Sequence, residues 1–190
     1  MRARRERRYW RLSLLSLPFL LVAAFGANAW RNIADYVQGT EMKVHPTDGG
    51  KLYAGAIWRL QQARLIGDGR DLNVAFNDNR RLIIIRLAAD VKEQIGDRWT
   101  QCRLTLVDDK GHRWLPLDFI RSGDISRELD PKATPVDGCD AVSRHPPAPG
   151  ADALIEEKFV VPADATSSIS VRLSFASVRP ETLFFPFQLR

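Results

Sequence analysis

The two cysteines are the residues of this chain best suited to covalent chemistry. Cys102 lies on a predicted core strand and Cys139 in a predicted long loop. The N-terminal segment indicates export to an oxidising compartment, where such a pair is expected to form a disulfide. A bridge across a loop of this length contributes about 2–4 kcal/mol. The alternative is two unpaired thiols, one of them buried. Metal binding is disfavoured because structural zinc sites use closely spaced cysteine pairs.

The histidines and the paired aspartates offer little catalytic chemistry. His45, His112 and His145 lie in the predicted spacer, hairpin and loop, with none at ligand spacing to another, and we expect them on the surface. Asp108 and Asp109 are followed by Lys-Gly, which is typical of a solvated turn. No serine lies in a nucleophile-elbow sequence, and no glycine-rich phosphate loop is present. The sequence therefore predicts no catalytic residue, no cofactor and no metal site.

The net charge of +5 comes entirely from the N-terminal tail. Residues 12–190 contain 28 − 6 = 22 basic and 23 − 1 = 22 acidic residues. A neutral folded part has no excess charge to attract phosphates, so the sequence excludes nucleic-acid binding as the main function. The tail, residues 1–11, contains one acidic residue, Glu6, and six arginines: Arg2, Arg4, Arg5, Arg7, Arg8 and Arg11.

Residues 12–30 form an uncharged, largely apolar stretch that is long enough to cross a membrane. As a helix, its 19 residues span about 28 Å, close to the thickness of a bilayer core. Arginines precede it, and aromatic residues flank it at Trp10 and Trp30. This pattern predicts a transmembrane anchor with its N-terminus in the cytoplasm. The protein is then a single-pass inner or cytoplasmic membrane protein whose domain lies on the periplasmic or extracellular side.

Two other interpretations of the segment stay open. Ala27-Asn28-Ala29 resembles a signal-peptidase site, and cleavage after Ala29 would release a secreted domain. The run from Leu12 to Phe25 is also compatible with a buried helix of a soluble domain, although its apolar residues lie on every side. The anchor and the signal-peptide interpretations both export residues 31–190.

The exported part reads as a spacer followed by one all-β domain. Residues 31–50 are polar and lack a sustained period, which predicts a spacer that pairs only in places. Residues 51–190 show short alternating apolar runs separated by turn clusters. We expect a central strand, a hairpin, a strand with one solvated face and an edge strand containing Pro186. These correspond to Arg81–Val91, to Trp99–Val107 with His112–Leu117, to Ile169–Phe175, and to Leu183–Leu189.

Residues 118–153 lack the alternating apolar runs and are rich in prolines and glycines, which predicts a long loop. Long loops on rigid sandwiches often carry recognition sites. Four residues in or beside this loop are candidates for binding a protein partner, with packing beneath the loop as the alternative role. They are Trp114, Phe119, Ile120 and Ile125.

Residues 52–189 resemble the telokin-like, immunoglobulin-fold domains of bacterial lipoproteins and membrane-anchored envelope proteins. The resemblance implies an immunoglobulin-like antiparallel β-sandwich and a binding or accessory role, with no catalytic residue to carry over. The chain departs from that pattern in its 118–153 insertion and in lacking a lipoprotein cysteine near the N-terminus, which argues against a lipid anchor. The stretches that carry the resemblance are Trp58–Ile66, Arg81–Val91, Leu104–Leu115 with its Asp-Asp-Lys-Gly turn, and Glu157–Phe175.

We therefore expect a non-enzymatic, membrane-tethered interaction or accessory module of the cell envelope, with the membrane and an envelope protein as its partners. The alternative is a β-sandwich protein, secreted or anchored, that binds a small ligand in a pocket between sheet and loop.

Overall fold

The chain divides into an N-terminal unit, residues 1–40, and a β-rich unit, residues 41–190. A computed structural model describes residues 2–41, 43–47, 50–67, 79–118, 125, 136–165 and 169–187. The all-β prediction for the domain, preceded by one apolar helix, is confirmed at this level: one long helix precedes a unit built mostly from two sheets.

The N-terminal unit is the helix α1, Arg2–Gly39. Its stretch Ser13–Ile33 is long and apolar enough to cross a membrane. The helix continues past Trp30 to Gly39, where the sequence predicted the start of a spacer. Ile33, Ala34 and Tyr36 extend the apolar character of the segment. Residues 31–50, predicted as a spacer from their polar composition, therefore contain the end of a helix and a short strand, Lys43–Pro46.

The β-rich unit contains nine strands among the described residues, arranged in two sheets. One sheet has the order β1-β9-β8-β5-β6 and the other β2-β3-β4-β7. The strands are β1 Lys43–Pro46, β2 Leu52–Tyr53, β3 Ala56–Gly67, β4 Arg80–Val91, β5 Arg103–Val107, β6 Arg113–Trp114, β7 Asp152–Pro162, β8 Ser170–Ser174 and β9 Glu181–Pro186. Short 3₁₀ helices at Gly96–Trp99, Ala163–Ala165 and Ala176–Val178 and the helix α2, Cys139–Arg144, connect them.

Both sheets contribute to one hydrophobic core. Trp58 of β3 and Trp99 are fully buried and pack with Phe175. The indole of Trp58 donates a hydrogen bond to the carbonyl of Tyr53, and the indole of Trp99 donates one to Ala54. The polar edges of these large side chains are thus satisfied inside the core, as burial requires.

The predicted central strand and hairpin are confirmed. β4 pairs with β3 on one side and with β7 on the other, which makes it an inner strand, and apolar residues on both of its faces are buried. β5 and β6 form the predicted hairpin, with Leu106 opposite Trp114. Helix α2 lies within the predicted 118–153 loop, and residues 119–124 and 126–135 of that loop fall outside the described residues.

Two expectations about strand pairing are wrong. The sheets are not purely antiparallel, because β1 pairs in parallel with β9. β9 is consequently an inner strand between β1 and β8 rather than an edge. Pro186 is tolerated because β1 pairs only as far as Phe184, so no ladder partner on that side requires its missing N–H.

The solvated face predicted for β8 is also wrong. Val171, Leu173 and Phe175 are buried as expected, but Ser170 and Ser174 on the opposite face are buried too. Part of the cover is Glu41, whose carboxylate contacts Ser174. A side chain from outside the strand therefore covers a surface that alternation alone assigns to solvent.

Candidate interaction surface

A disulfide fastens the C-terminal half of the predicted loop, residues 118–153, to the β-rich unit. Cys102 lies one residue before β5, Cys139 begins α2, and the two are joined with a Cα–Cα distance of 5.3 Å. This pairing is consistent with the sequence prediction. Cys139 is buried. The bridge therefore fastens α2 directly to the core.

Glu157 of β7 provides a second fastening for α2. Its Oε1 accepts a hydrogen bond from the backbone N–H of Cys139 at 2.7 Å. A Cβ on Gly138 would lie 2.9 Å from the same oxygen, so any side chain there would displace the carboxylate from this position. Burial raises the pKa of the Glu157 carboxyl above its ordinary value, although the bond from Cys139 opposes that effect.

The residues predicted to bind a partner do not form one exposed patch among the described residues. Trp114 is half-buried and packs against the core from its position opposite Leu106. Ile125 is fully buried, so it matches the packing alternative and is not exposed to a partner. Phe119 and Ile120 lie outside the described residues.

Asp108 and His112 shape the turn between β5 and β6. The Asp108 carboxylate accepts hydrogen bonds from the backbone N–H groups of Lys110 and His112, and its Oδ2 lies 2.7 Å from Nδ1 of His112. Burial alone would raise the pKa of the Asp108 carboxyl, but the bonds from His112 and Lys110 outweigh it and hold the pKa below its usual range. The pair therefore has a clear role in the turn.

The remaining histidines also show no ligand geometry. Nε2 of His45 lies 3.7 Å from a carboxylate oxygen of Glu181, and His145 is exposed. Across the described part of the chain, no three histidine, cysteine, aspartate or glutamate residues come together as a metal site.

A buried ion network crosses β4 and β7. Glu156 accepts hydrogen bonds from Nε and Nη2 of Arg86 at 3.0 and 2.5 Å, and from Nζ of Lys158 at 3.0 Å. Burial raises the pKa of the Glu156 carboxyl, but Lys158 and Arg86 outweigh it and leave that pKa lowered. Because both cations contact one buried carboxylate, the network orders this sheet and leaves Glu156 saturated.

Three arginines lie together on the outer face of the other sheet. Strand alternation places Arg103 of β5 and Arg172 of β8 on the side away from the buried leucines. Arg113 of β6 joins them because it pairs with Val107, two residues beyond Thr105. We call this surface the arginine face and define it by Arg103, Arg113, Arg172 and the residues between them, Thr105 and Ser174.

Glu41 is the carboxylate that contacts this face among the described residues. It accepts hydrogen bonds from Oγ of Ser174 at 2.6 Å and from Nη1 of Arg113 at 3.1 Å. Its side chain is only 3% exposed, whereas that of Arg113 is 46% exposed. Glu41 thus contacts one guanidinium group of the face, that of Arg113, and lies close enough to Arg172 to affect its pKa. Because three arginines outnumber this one carboxylate, the described residues of the arginine face carry an excess of positive charge.

Arg172 is incompletely satisfied at the centre of the face. Its Nε and the Oγ1 of Thr105, the residue directly opposite on β5, are both buried and have no hydrogen-bond partner in the described structure. Burial and the neighbouring Arg113 lower the pKa of the Arg172 guanidinium, while Glu41 opposes them. Buried polar groups are usually paired, and Arg179 is the other described residue with buried side-chain atoms that lack a partner.

The arginine face was not predicted from the sequence. The alternation of β5 and β8 assigns Arg103 and Arg172 to the outside of each strand, and this signal was available. What the sequence does not give is the register that sets Thr105 opposite Arg172, or the contact with Glu41, which lay in the predicted spacer.

Comparison with known proteins leaves the family of this chain open. No family model matches it, and a search of curated proteins finds no match. Among solved structures it is similar to a 2.2 Å crystal structure of a conserved hypothetical protein from Bacillus anthracis. The identity is 8%, the TM-score is 0.41, and the alignment covers 73% of this chain and 94% of that one.

Proposed function

We propose that this chain is a membrane-tethered, extracytoplasmic interaction module without catalytic activity. The observation that carries the proposal is the exposed apolar surface of α1. Large apolar side chains along the segment that could span a membrane are exposed, including Leu15, Phe19, Val22 and Phe25. A helix that is apolar on all sides requires a non-aqueous environment, which a bilayer supplies.

The orientation of the tether follows from charge and from the disulfide. Six arginines precede the apolar segment, and positively charged flanks stay in the cytoplasm. The β-rich unit then lies on the opposite, periplasmic or extracellular side. The Cys102–Cys139 bridge is the kind of feature that such an oxidising compartment maintains.

The β-rich unit is proposed to be an immunoglobulin-like sandwich of the telokin-like kind. Two sheets sharing one core, together with the fully buried Trp58 and the bridge beside β5, support this assignment. The parallel pairing of β1 with β9 is then an addition made by the segment that leads into the domain. Such domains serve mainly as binding or accessory modules, which agrees with the saturated Asp108 and Glu156 carboxylates.

The orientation is tested by labelling single engineered cysteines with a membrane-impermeant maleimide. The proposal predicts that Lys110→Cys, in the exposed turn after β5, is labelled in intact spheroplasts. Ala3→Cys, in the arginine-rich tail, is the matched control and becomes labelled only after the membrane is permeabilised. Labelling of the tail but not of the turn in intact spheroplasts would contradict the proposal.

The interaction role is tested by crosslinking in native membranes followed by mild solubilisation. The proposal predicts an envelope protein crosslinked to the wild-type chain and absent when the β-rich unit is removed. Repeated crosslinking at several solubilisation conditions that yields only the uncomplexed chain would count against an interaction module.

A further inference from the structure

We propose that the arginine face binds the phosphate headgroup of anionic phospholipids, so that the β-rich unit contacts the surface of the membrane that anchors it. The proposal deepens the function proposed above and rests on its membrane tether. It concerns the site formed by Arg103, Arg113 and Arg172 around Thr105.

The composition of the face fits an oxyanion. The outward positions of β5, β6 and β8 carry three arginines, and the strand residues of this face in the described ranges include no carboxylate. Planar guanidinium groups bind phosphate oxygens through paired N–H donors. Among the described residues, Glu41 is the carboxylate that contacts this face, and it bonds to Arg113 and to Ser174.

The unsatisfied atoms mark the centre of this site. Nε of Arg172 is a donor without an acceptor, and the hydroxyl of Thr105 opposite it lacks a partner in the described structure. A phosphate oxygen accepts hydrogen bonds from both kinds of group. Both atoms are buried, so a phosphate would satisfy them only after the half-buried Arg172 side chain moves outward and uncovers the Thr105 hydroxyl.

The chain connection favours a lipid as the source of the phosphate. Glu41, which contacts the arginine face, is eight residues beyond Ile33, the last residue of the apolar stretch. Even a fully extended chain of that length reaches only about 28 Å. The short connection therefore confines the tethered unit near the bilayer, where lipid phosphate is at a high effective concentration.

Glu41 competes with the lipid in this scheme. Its carboxylate already occupies Arg113 at 3.1 Å and lies close enough to Arg172 to affect its pKa. Removing that negative charge frees the guanidinium groups for phosphate. Glu41→Gln is therefore expected to strengthen lipid binding, which a merely destabilising substitution would not do.

Native mass spectrometry of the full chain in detergent, titrated with phosphatidylglycerol or phosphatidylcholine, tests the proposal. The wild type is expected to bind phosphatidylglycerol more tightly than phosphatidylcholine. Arg172→Gln and, separately, Arg103→Gln should each weaken that binding about fivefold. Arg59→Gln, an exposed arginine on β3 of the other sheet, is the matched control and should change nothing. Because Arg103 is exposed, its variant keeps the test valid if Arg172→Gln disturbs folding.

Equal affinity of the wild type, Arg103→Gln and Arg172→Gln for phosphatidylglycerol would overturn the proposal. Binding of inorganic phosphate with the same dependence on arginine, but no preference for phosphatidylglycerol, would overturn the lipid assignment. Tighter binding of a hexaglutamate peptide than of phosphatidylglycerol to the arginine face would overturn the lipid assignment in favour of an acidic protein. Detergent removes sidedness, so these outcomes are independent of the cysteine-labelling result that tests the tether.

Discussion

The carboxylate of Glu157 on β7 accepts the backbone N–H of Cys139 at 2.7 Å, and Cys139 is itself bound to Cys102. One residue at the start of α2 therefore receives both a covalent and a polar attachment to the β-rich unit. The covalent attachment restricts the unfolded chain, whereas the polar one depends on the ionisation of a buried acid.

Removing the disulfide is expected to destabilise the β-rich unit substantially. The cysteines are 37 residues apart. Closing a loop of that length lowers the conformational entropy of the unfolded chain, which stabilises the folded state by about 4 kcal/mol. The double variant Cys102→Ser/Cys139→Ser should lose free energy of unfolding of this order, measured by urea denaturation of the full chain in detergent. Reductant should destabilise the wild type but not the double variant, and an equal response of both proteins would contradict the bridge.

Replacing Glu157 by glutamine is expected to remove a dependence of stability on pH. The pKa of this carboxyl is raised in the folded state above 4.5, so the folded protein loses stability as the pH rises through that raised pKa. Glutamine keeps an oxygen that accepts the Cys139 N–H and carries no charge. Glu157→Gln should therefore gain stability over the wild type as the pH increases above 4.5, and the gain should vanish at lower pH.

Asp108 is expected to contribute to acid sensitivity with the opposite sign. Its pKa is lowered in the folded state below 3.8, so its contribution is present above that value and is lost as the pH falls through the lowered pKa. Asp108→Asn should be less stable than the wild type near neutrality, and the difference should shrink in acid. Denaturation series from pH 6 to pH 2 measure this, and a difference that grows in acid would refute it.

Trp99 is expected to be among the most costly core residues to truncate. It is fully buried, its indole donates to the Ala54 carbonyl at 2.9 Å, and its ring stacks on Phe175 at 5.7 Å. Trp99→Ala should lose about 3–5 kcal/mol of unfolding free energy. The half-buried Trp114 is the matched control: Trp114→Ala should lose less, and an equal loss would mean that this ring too is a core residue.

Local patterns in the sequence were sufficient for several elements of the fold. β4 is a run of apolar residues long enough to be buried on both faces, and a turn sequence joins β5 to β6. The pairing of Cys102 with Cys139 required only the compartment and the count of cysteines. Each of these inferences depends on residues close together in the chain or on a single possible partner.

The elements that the sequence did not reveal depend on contacts between distant segments. β1 is four residues long, without strong alternation, and acquires its strand conformation by pairing with β9. The arginine face requires the register of β5 on β8, and its carboxylate comes from Glu41. No local pattern encodes such a register, because the partner strands lie far apart in sequence.

We propose above that α1 is retained as an anchor that holds the β-rich unit at the membrane. Membrane fractionation with carbonate extraction, followed by intact-mass analysis without reductant, tests it most directly. We expect a full-length species in the carbonate-resistant membrane fraction, with the mass of the chain carrying one disulfide. A soluble species that begins at Trp30, after cleavage following Ala29, would contradict the anchor.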